Sequence, residues 1–374
     1  MTGLAKPAGN SGATGLASRL FPPLAGAPGE IATIQYLRGF AAVLVLLYHL
    51  SQQWAPVGGI PALEVMRSGV DVFFVISGFV MVWSTDKGSR LSAGTFMARR
   101  IARVAPLYWV ITSAVVLVLL LAPGAIGWTG TNIWHIIASY LFLPAVNPLI
   151  GAIYPVVPLG WTLLFEMFFY AMFALAILLG GRVPRRVMAI LITSMLALVA
   201  LGKAVALPVA LAFYARPILL EFVFGVIVGL VFKGPILPGG ARSHLPYYVI
   251  AFAGLFLLLF LPDMPNSWRA LRFGIPSALM VYGFVHIQAA PSALWHRMGD
   301  MSYSLYLIHY PIVVAFGAAW HGAFSQYGLP AYALFMAAGT AISLIFGYLC
   351  WLLVELPLID SARRRLRRPT AAPA

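Results

Sequence analysis

Arg38 and His49 stand eleven residues apart inside one apolar run. At about 100° per residue the separation turns through about 1100°, about 20° past three full turns, so both side chains share one helix face. They lie about 16 Å apart along the axis, roughly half the hydrocarbon thickness of a bilayer. A guanidinium and an imidazole aligned in this way outline a polar path through a membrane. The plainer alternative is an Arg snorkelling to one interface and a His sitting at the other; the shared face favours the path. Asp71 lies in the run Gly69-Val-Asp-Val-Phe-Phe-Val-Ile-Ser-Gly78 and is expected on the same side as His49. A carboxylate there either orients the imidazole or caps a helix N-terminus, and position alone leaves both open.

Two further acids fall inside apolar runs. Glu166 ends Gly160-Trp-Thr-Leu-Leu-Phe-Glu166, and Glu221 stands in a similar setting. Each needs a partner, and an Arg such as Arg38 or Arg216 would serve structurally. Glu166 is the better functional candidate, because it is expected at the depth of His49 and Asp71. Arg100 and Arg103 are three apart and share a helical face. Paired guanidiniums either clamp a phosphate or anchor the chain to lipid head groups, and composition alone favours the anchor. His309, followed by Pro311, is expected mid-membrane, where a lone His commonly just bonds a neighbouring helix. His135, His244, His286, His296 and His321 are scattered and receive no role.

Some chemistries are excluded by what the sequence lacks. There is no P-loop, dinucleotide fingerprint or HExxH, no nucleophile elbow, and no metal-ligand spacing, so no metal is expected. Ser77 has nothing beyond its residue type to mark it as a nucleophile.

The elements that must position these residues follow from composition. Of 374 residues 61% are hydrophobic and 9% charged, with a mean hydropathy of +0.92. A soluble domain carries roughly 25% charged residues, so lipid has to be the outer solvent for most of this chain. The net charge of +14 does not point to nucleic acid, because Lys and Arg sit in short clusters between apolar runs, as in cytoplasmic loops. The single cysteine, Cys350, lies in an apolar run and supports neither a disulfide nor a cysteine metal site.

The apolar runs predict an all-α, polytopic membrane protein of about ten transmembrane helices, near 31–52, 69–84, 104–122, 158–180, 185–202, 216–232, 246–262, 271–289, 302–320 and 331–354. Ile133–Leu143 is too short to span and reads as a re-entrant or interfacial piece. With the N-terminus cytoplasmic, the inner loops hold Lys87, Arg90, Arg99, Arg100, Arg103, Arg182, Arg185, Arg186, Lys233, Arg242 and Arg297, and the tail holds Arg363, Arg364, Arg365, Arg367 and Arg368. The outer loops hold chiefly Arg67, Lys203 and Arg269. That bias predicts both termini in the cytoplasm. Residues 1–30 read as a flexible cytoplasmic tail without the apolar core of a signal peptide. Residues 31–355 form the membrane domain and 356–374 a basic cytoplasmic tail.

Taken together, these residues resemble the acyltransferase 3 family of bacterial membrane O-acyltransferases. Four stretches carry the resemblance, which covers about 31 to 355. Ile34-Gln-Tyr-Leu-Arg38-Gly through Tyr-His49 is similar to the family's motif of Arg, ten residues and His. Gly69-Val-Asp71 through Phe79 resembles its second-helix motif, and Arg100-Ile-Ala-Arg103 with Pro106 and Tyr108 its Arg-x-x-Arg motif. Trp161 through Glu166 and Ser302-Tyr-Ser-Leu-Tyr-Leu-Ile-His309 resemble the fourth-helix and late motifs. The opening is similar to the subgroup that modifies exopolysaccharides and lipopolysaccharide O-chains. Many members carry a fused esterase-like domain after the last helix; only a short basic tail is expected here, a departure from that pattern.

The resemblance implies acyl-CoA, usually acetyl-CoA, as donor and a hydroxyl of a glycan or lipid-linked sugar as acceptor, at a bacterial cytoplasmic membrane. Arg100 and Arg103 would hold the donor's phosphates on the cytoplasmic side, with its acyl arm threading past Arg38 to His49. His49, helped by Asp71 or Glu166, would act as general base or carry the acyl group briefly. Trp161 and Tyr303 are candidate oxyanion donors, and His309 joins them as a candidate substrate-site residue. Two other classes use the same residue types: a transporter or flippase for a lipid-linked sugar, and a structural or sensory protein whose polar residues only pair helices. The sequence leaves a monomer and a homo-oligomer both open.

Overall fold

The computed structural model describes residues 30–367 except 59, 86–91, 123, 125, 182, 233, 235–243, 288–291 and 325–327. The expected N-terminal tail before residue 30, the last residues of the basic tail from Arg368, and Lys87, Arg90, Arg182, Lys233 and Arg242 lie outside the described residues.

Among the described residues the chain is helical, with one isolated antiparallel bridge between Val146 and Ile153. The helices, in order, are α1 (Ala32–Gly58), α2 (Gly69–Thr85), α3 (Ala93–Leu121), α4 (Ile133–Tyr140), α5 (Trp161–Gly180), α6 (Pro184–Ala204), α7 (Val209–Tyr214), α8 (Leu219–Val231), α9 (Leu245–Phe260), α10 (Ile275–His286), α11 (Ala293–Asp300), α12 (Ser302–Ala323), α13 (Leu329–Cys350) and α14 (Leu356–Arg367). Among the described residues seven stretches are long and apolar enough to cross a membrane: 32–55, 64–83, 93–121, 158–180, 184–204, 302–323 and 329–362. The other expected positions hold shorter elements. Helices α8 and α9 are apolar but under 18 residues, and α10 begins as a π-helical turn, Ala270–Gly274. Proline explains part of the shortening: Pro217 precedes α8 and Pro262 follows α9, and neither carries the N–H a continuing helix needs.

Three boundaries differ from expectation. The third helix starts at Ala93, where Ser92 Oγ accepts the Thr95 N–H at 3.2 Å, so Arg99, Arg100 and Arg103 stand on the helix itself. The last span runs through a second π turn, Trp351–Glu355, into α14. The short piece at 133–143 is the eight-residue α4, capped by Asn132 Oδ1 on the His135 N–H at 2.9 Å.

Lipid-facing surface and packed interior separate clearly. Large apolar side chains stay exposed around the bundle, from 67% at Leu353 through Phe260 and Leu178 to 76% at Leu121, a surface that water would not tolerate over that extent. Inside, Phe222 stacks on Phe74 at 4.5 Å and on Phe169 at 4.4 Å, joining α2, α5 and α8. Helix α1 is the hub, packed against α2, α10, α11, α12 and α13.

The α2–α8 contact depends on two glycines. A Cβ on Gly225 would lie 2.0 Å from Val75 O, and one on Gly78 would lie 2.2 Å from Phe222 O. Without a hydrophobic drive between helices in lipid, small residues that let backbones approach supply the packing. Gly225→Leu is therefore expected to force α2 and α8 apart and destabilise the protein by at least about 1–3 kcal/mol. Thermal unfolding of the detergent-purified variant checks this; a melting temperature matching wild type would contradict the close packing.

Candidate active site

Helices α1 and α12 bring two imidazoles together. His49 and His309 have ring centroids 5.3 Å apart with planes inclined at 38°. Tyr310 meets His49 edge-on at 5.3 Å and Tyr48 lies 5.0 Å away. His309 is fully buried, and its Nδ1 lies 2.9 Å from Leu305 O, one turn back along α12. His49 is only partly buried. From the loop after α3, Trp128 packs edge-on to Tyr310 at 5.4 Å and points its indole N–H to Val156 O at 3.3 Å. That loop is held in shape by Asn147, whose amide donates to Trp128 O at 3.0 Å while its Oδ1 accepts the Leu149 N–H at 3.0 Å.

A polar seam runs from the histidines toward the arginine-bearing ends of α1 and α3. Tyr306, one turn before His309, shares a 2.8 Å hydrogen bond with Thr162 Oγ1 at the start of α5. Glu166 accepts from Tyr170 OH, and from Ser77 Oγ at 3.4 Å. Ser77 lies six residues beyond Asp71 on α2, about 9 Å along the axis. Glu166 thus sits deeper than the expected shared level with His49 and Asp71. It lies in electrostatic reach of Arg38, which also feels Arg103, Glu355 and Asp300. Arg38 itself donates to Gln35 Oε1 at 2.9 Å.

At the arginine end the two expected clamp residues are held differently. Arg103 NH1 is 3.4 Å from Glu355 Oε1, and the other carboxylate oxygen accepts from Ser304 Oγ at 2.6 Å. Arg100 spreads over the rings of Phe96 at 5.4 Å and Tyr170 at 5.6 Å. On α11, His296 reaches Glu30 at 3.2 Å and Asp300 at 3.3 Å. Burial pushes the Asp300 carboxyl above its usual range, opposed by the neighbouring His296.

Two expected roles are corrected by what the side chains touch. Asp71 is not among the ring neighbours of His49; its Oδ2 accepts from Arg269 NH2 at 2.7 Å, and Arg269 Nε lies 3.6 Å from Glu221 Oε1. Both carboxylates are fully buried, so the guanidinium is their compensating charge, and the partner Asp71 takes is Arg269 rather than the imidazole of His49. Glu221 accordingly takes Arg269 rather than Arg38 or Arg216 as its cation, while Arg216 lies over the Phe213 ring at 4.9 Å. Tyr303 donates its one O–H to Val104 O at 2.7 Å, which removes it as an oxyanion donor. Trp161 packs edge-on to Phe165 at 6.0 Å, with no polar bond among the described residues to fix its indole.

Three residues escaped the sequence reading. Glu355 lies in an apolar run like the others, and its partner Arg103 is far away in sequence. Arg269, an outer-loop charge by the Lys and Arg pattern, holds two buried acids. Arg272, buried, donates to Leu258 O at 2.7 Å and shares the Phe273 ring with Arg67 and Arg269. The available signal is that an acid in an apolar run needs a cation; which cation it takes depends on the tertiary packing that brings distant segments together.

Comparison with known proteins bears on what this geometry does. A family model described as an acyltransferase domain matches residues 31–352. The chain is 36% identical over 318 residues to the exopolysaccharide production protein ExoZ of Rhizobium meliloti, covering 81% of this chain and 92% of that protein. It is 27% identical over 392 residues to acyltransferase MdmB of Streptomyces mycarofaciens, covering 91% and 94%. To O-acetyltransferase OatA of Staphylococcus aureus it is 25% identical over 332 residues, 77% of this chain and 51% of the relative. No solved structure matches it significantly.

The Asp71–Arg269–Glu221 cluster generates a stability prediction. Removing the cation from two buried carboxylates should cost about 3–5 kcal/mol. Arg269→Ala is expected to lower the melting temperature in detergent sharply or abolish monodisperse protein, with Arg269→Lys recovering part of the loss. An Arg269→Ala protein as stable as wild type would show that the cluster is not what holds α2 and α8 to this end of the bundle.

Proposed function

The chain belongs to the acyltransferase 3 family and is a membrane acyltransferase, and from that premise we propose that it moves an acyl group, acetyl first among them, from cytoplasmic acyl-CoA to a hydroxyl of a cell-surface or exported glycan or of a lipid-linked sugar. The names of two relatives support the glycan and the acetyl group, one an exopolysaccharide production protein and another an O-acetyltransferase. The observation that carries the reading is the seam itself, with a reachable imidazole, His49, at one end and Arg38, Arg100 and Arg103 at the other.

In this reading the membrane domain spans 31–355 with ten crossings, three of them by the shorter α8, α9 and α10, in a bacterial cytoplasmic membrane. Residues 1–30 and 356–374 are its cytoplasmic tails. Arg100 and Arg103 meet the donor's phosphates. Arg100 brings its guanidinium, a planar fork suited to phosphate, to the same end of the bundle, and Arg103 exchanges Glu355 for phosphate. The acyl-pantetheine arm runs along the seam past Arg38 and Glu166. His49 then takes the proton of the acceptor hydroxyl as it attacks the thioester carbonyl. Trp161 remains the candidate donor to the oxyanion. Tyr303 serves as a wall of the donor path, held by Val104, and Asp71 supports the fold through Arg269.

Purified protein in nanodiscs with labelled acetyl-CoA tests the division of labour. Arg103→Ala should weaken donor binding by about 10- to 100-fold, the worth of a charge-assisted hydrogen bond to phosphate. His49→Ala should bind normally and lose turnover by about 10²–10⁴-fold, measured as CoA release with crude envelope glycans present. Full turnover in His49→Ala, or donor binding untouched in Arg103→Ala, would remove the corresponding half of the proposal.

A further inference from the structure

His309 has one nitrogen committed and one stranded. Its Nδ1 faces the Leu305 carbonyl at 2.9 Å, and a carbonyl only accepts, so Nδ1 carries the proton and Nε2 is a bare lone pair. That Nε2 is buried and finds no hydrogen-bond partner among the described residues. A buried acceptor left unpaired in a native fold calls for a reason. Among the rings around His309, that of His49 is nearest, at 5.3 Å, ahead of Tyr306 at 6.0 Å.

The exposures give the pair an order. His49 is reachable and His309 is not. A base in front with a buried acceptor behind it is the arrangement by which a Ser-His-Asp triad fixes its imidazole tautomer. Here the carboxylate offered by the sequence, Asp71, is tied to Arg269. A second imidazole does the same task without placing another charge in an apolar interior, where an unpaired carboxylate would be costly.

We propose that His309 is the positioning residue for His49: its Nε2 accepts the N–H of His49 and leaves the other His49 nitrogen as the lone pair that meets the acceptor hydroxyl. The inference rests on His49 being the base. As the hydroxyl oxygen forms its bond to the thioester carbonyl carbon, its proton passes to His49. Collapse of the tetrahedral intermediate breaks the C–S bond, and His49 returns the proton to the leaving sulfur, giving the ester and CoA–SH. His309 stays neutral throughout and holds the transient imidazolium by one hydrogen bond. The ring centroids stand 5.3 Å apart and His309 Nε2 has no hydrogen-bond partner among the described residues, so the bond forms on reorientation of the His49 ring.

The test compares His309→Gln, which keeps an acceptor oxygen, with His309→Met, which has a similar reach and no comparable acceptor. Steady-state release of CoA from acetyl-CoA with envelope glycan present is measured alongside wild type and His49→Ala. The expected result is a fall in kcat of about 10²-fold or more in His309→Met, an unchanged KM for acetyl-CoA, and partial recovery of kcat in His309→Gln. A loss confined to KM, kcat near wild type in His309→Met, or equal kcat in the Met and Gln variants would overturn the assignment. Failure of both variants to fold, with His309→Asn as well, would mark His309 as a packing residue and overturn it too. Wild type without turnover defeats the underlying function; turnover at the wild-type rate in His309→Met, with none in His49→Ala, defeats this inference alone.

Discussion

A charge inside this bundle has no water to turn to, and every other feature of the site follows from how each one is compensated. Asp71 and Glu221 share Arg269. Glu355 takes Arg103 and Ser304. Glu166 takes hydroxyls, from Tyr170 and Ser77. These bonds join α2 to α8, α3 to the end of α13, and α5 to α2, so they carry much of the specificity that apolar contact with lipid-like neighbours cannot supply. The acids thus have charged or hydroxyl partners, whereas the His309 Nε2 is buried without a hydrogen-bond partner among the described residues and lies beside the partly exposed imidazole of His49.

The backbone serves the same economy. Both π turns end or begin at charged residues, Ala270–Gly274 just after Arg269 and Trp351–Glu355 closing on Glu355. A π turn inserts a residue into the helical ladder and is frequent at functional positions. The first of these two turns holds the buried Arg272 and the second the buried Glu355. At the hub, α1 keeps Arg38 and His49 on one side while its packing against α11 and α12 supplies Asp300 and His309.

Much of this was legible in the residues. Apolar runs located the long helices because lipid demands length and composition together, and the angular step from Arg38 to His49 placed both on one face of α1. Ile133–Leu143 was legible as too short to span, and it holds the eight-residue α4. Pairings between distant segments were not legible: Asp71 and Arg269 are 198 positions apart, and nothing local prefers Arg269 over His49 as the partner of that carboxylate. Tyr303 looked free to donate until Val104 O was found opposite it. Glu355 stands at the end of an apolar run, and its partner Arg103 lies more than 250 positions away.

The central claim is a direction along the seam, donor phosphates at the arginine end and chemistry at His49. A cryo-EM structure with a non-transferable thioether analogue of acetyl-CoA tests it most directly. The account predicts the phosphates against Arg100 and Arg103, the pantetheine arm passing Arg38, and the acetyl end beside the His49 ring. Phosphates seated instead at Arg67 and Arg272, or an acetyl end remote from His49, would contradict it.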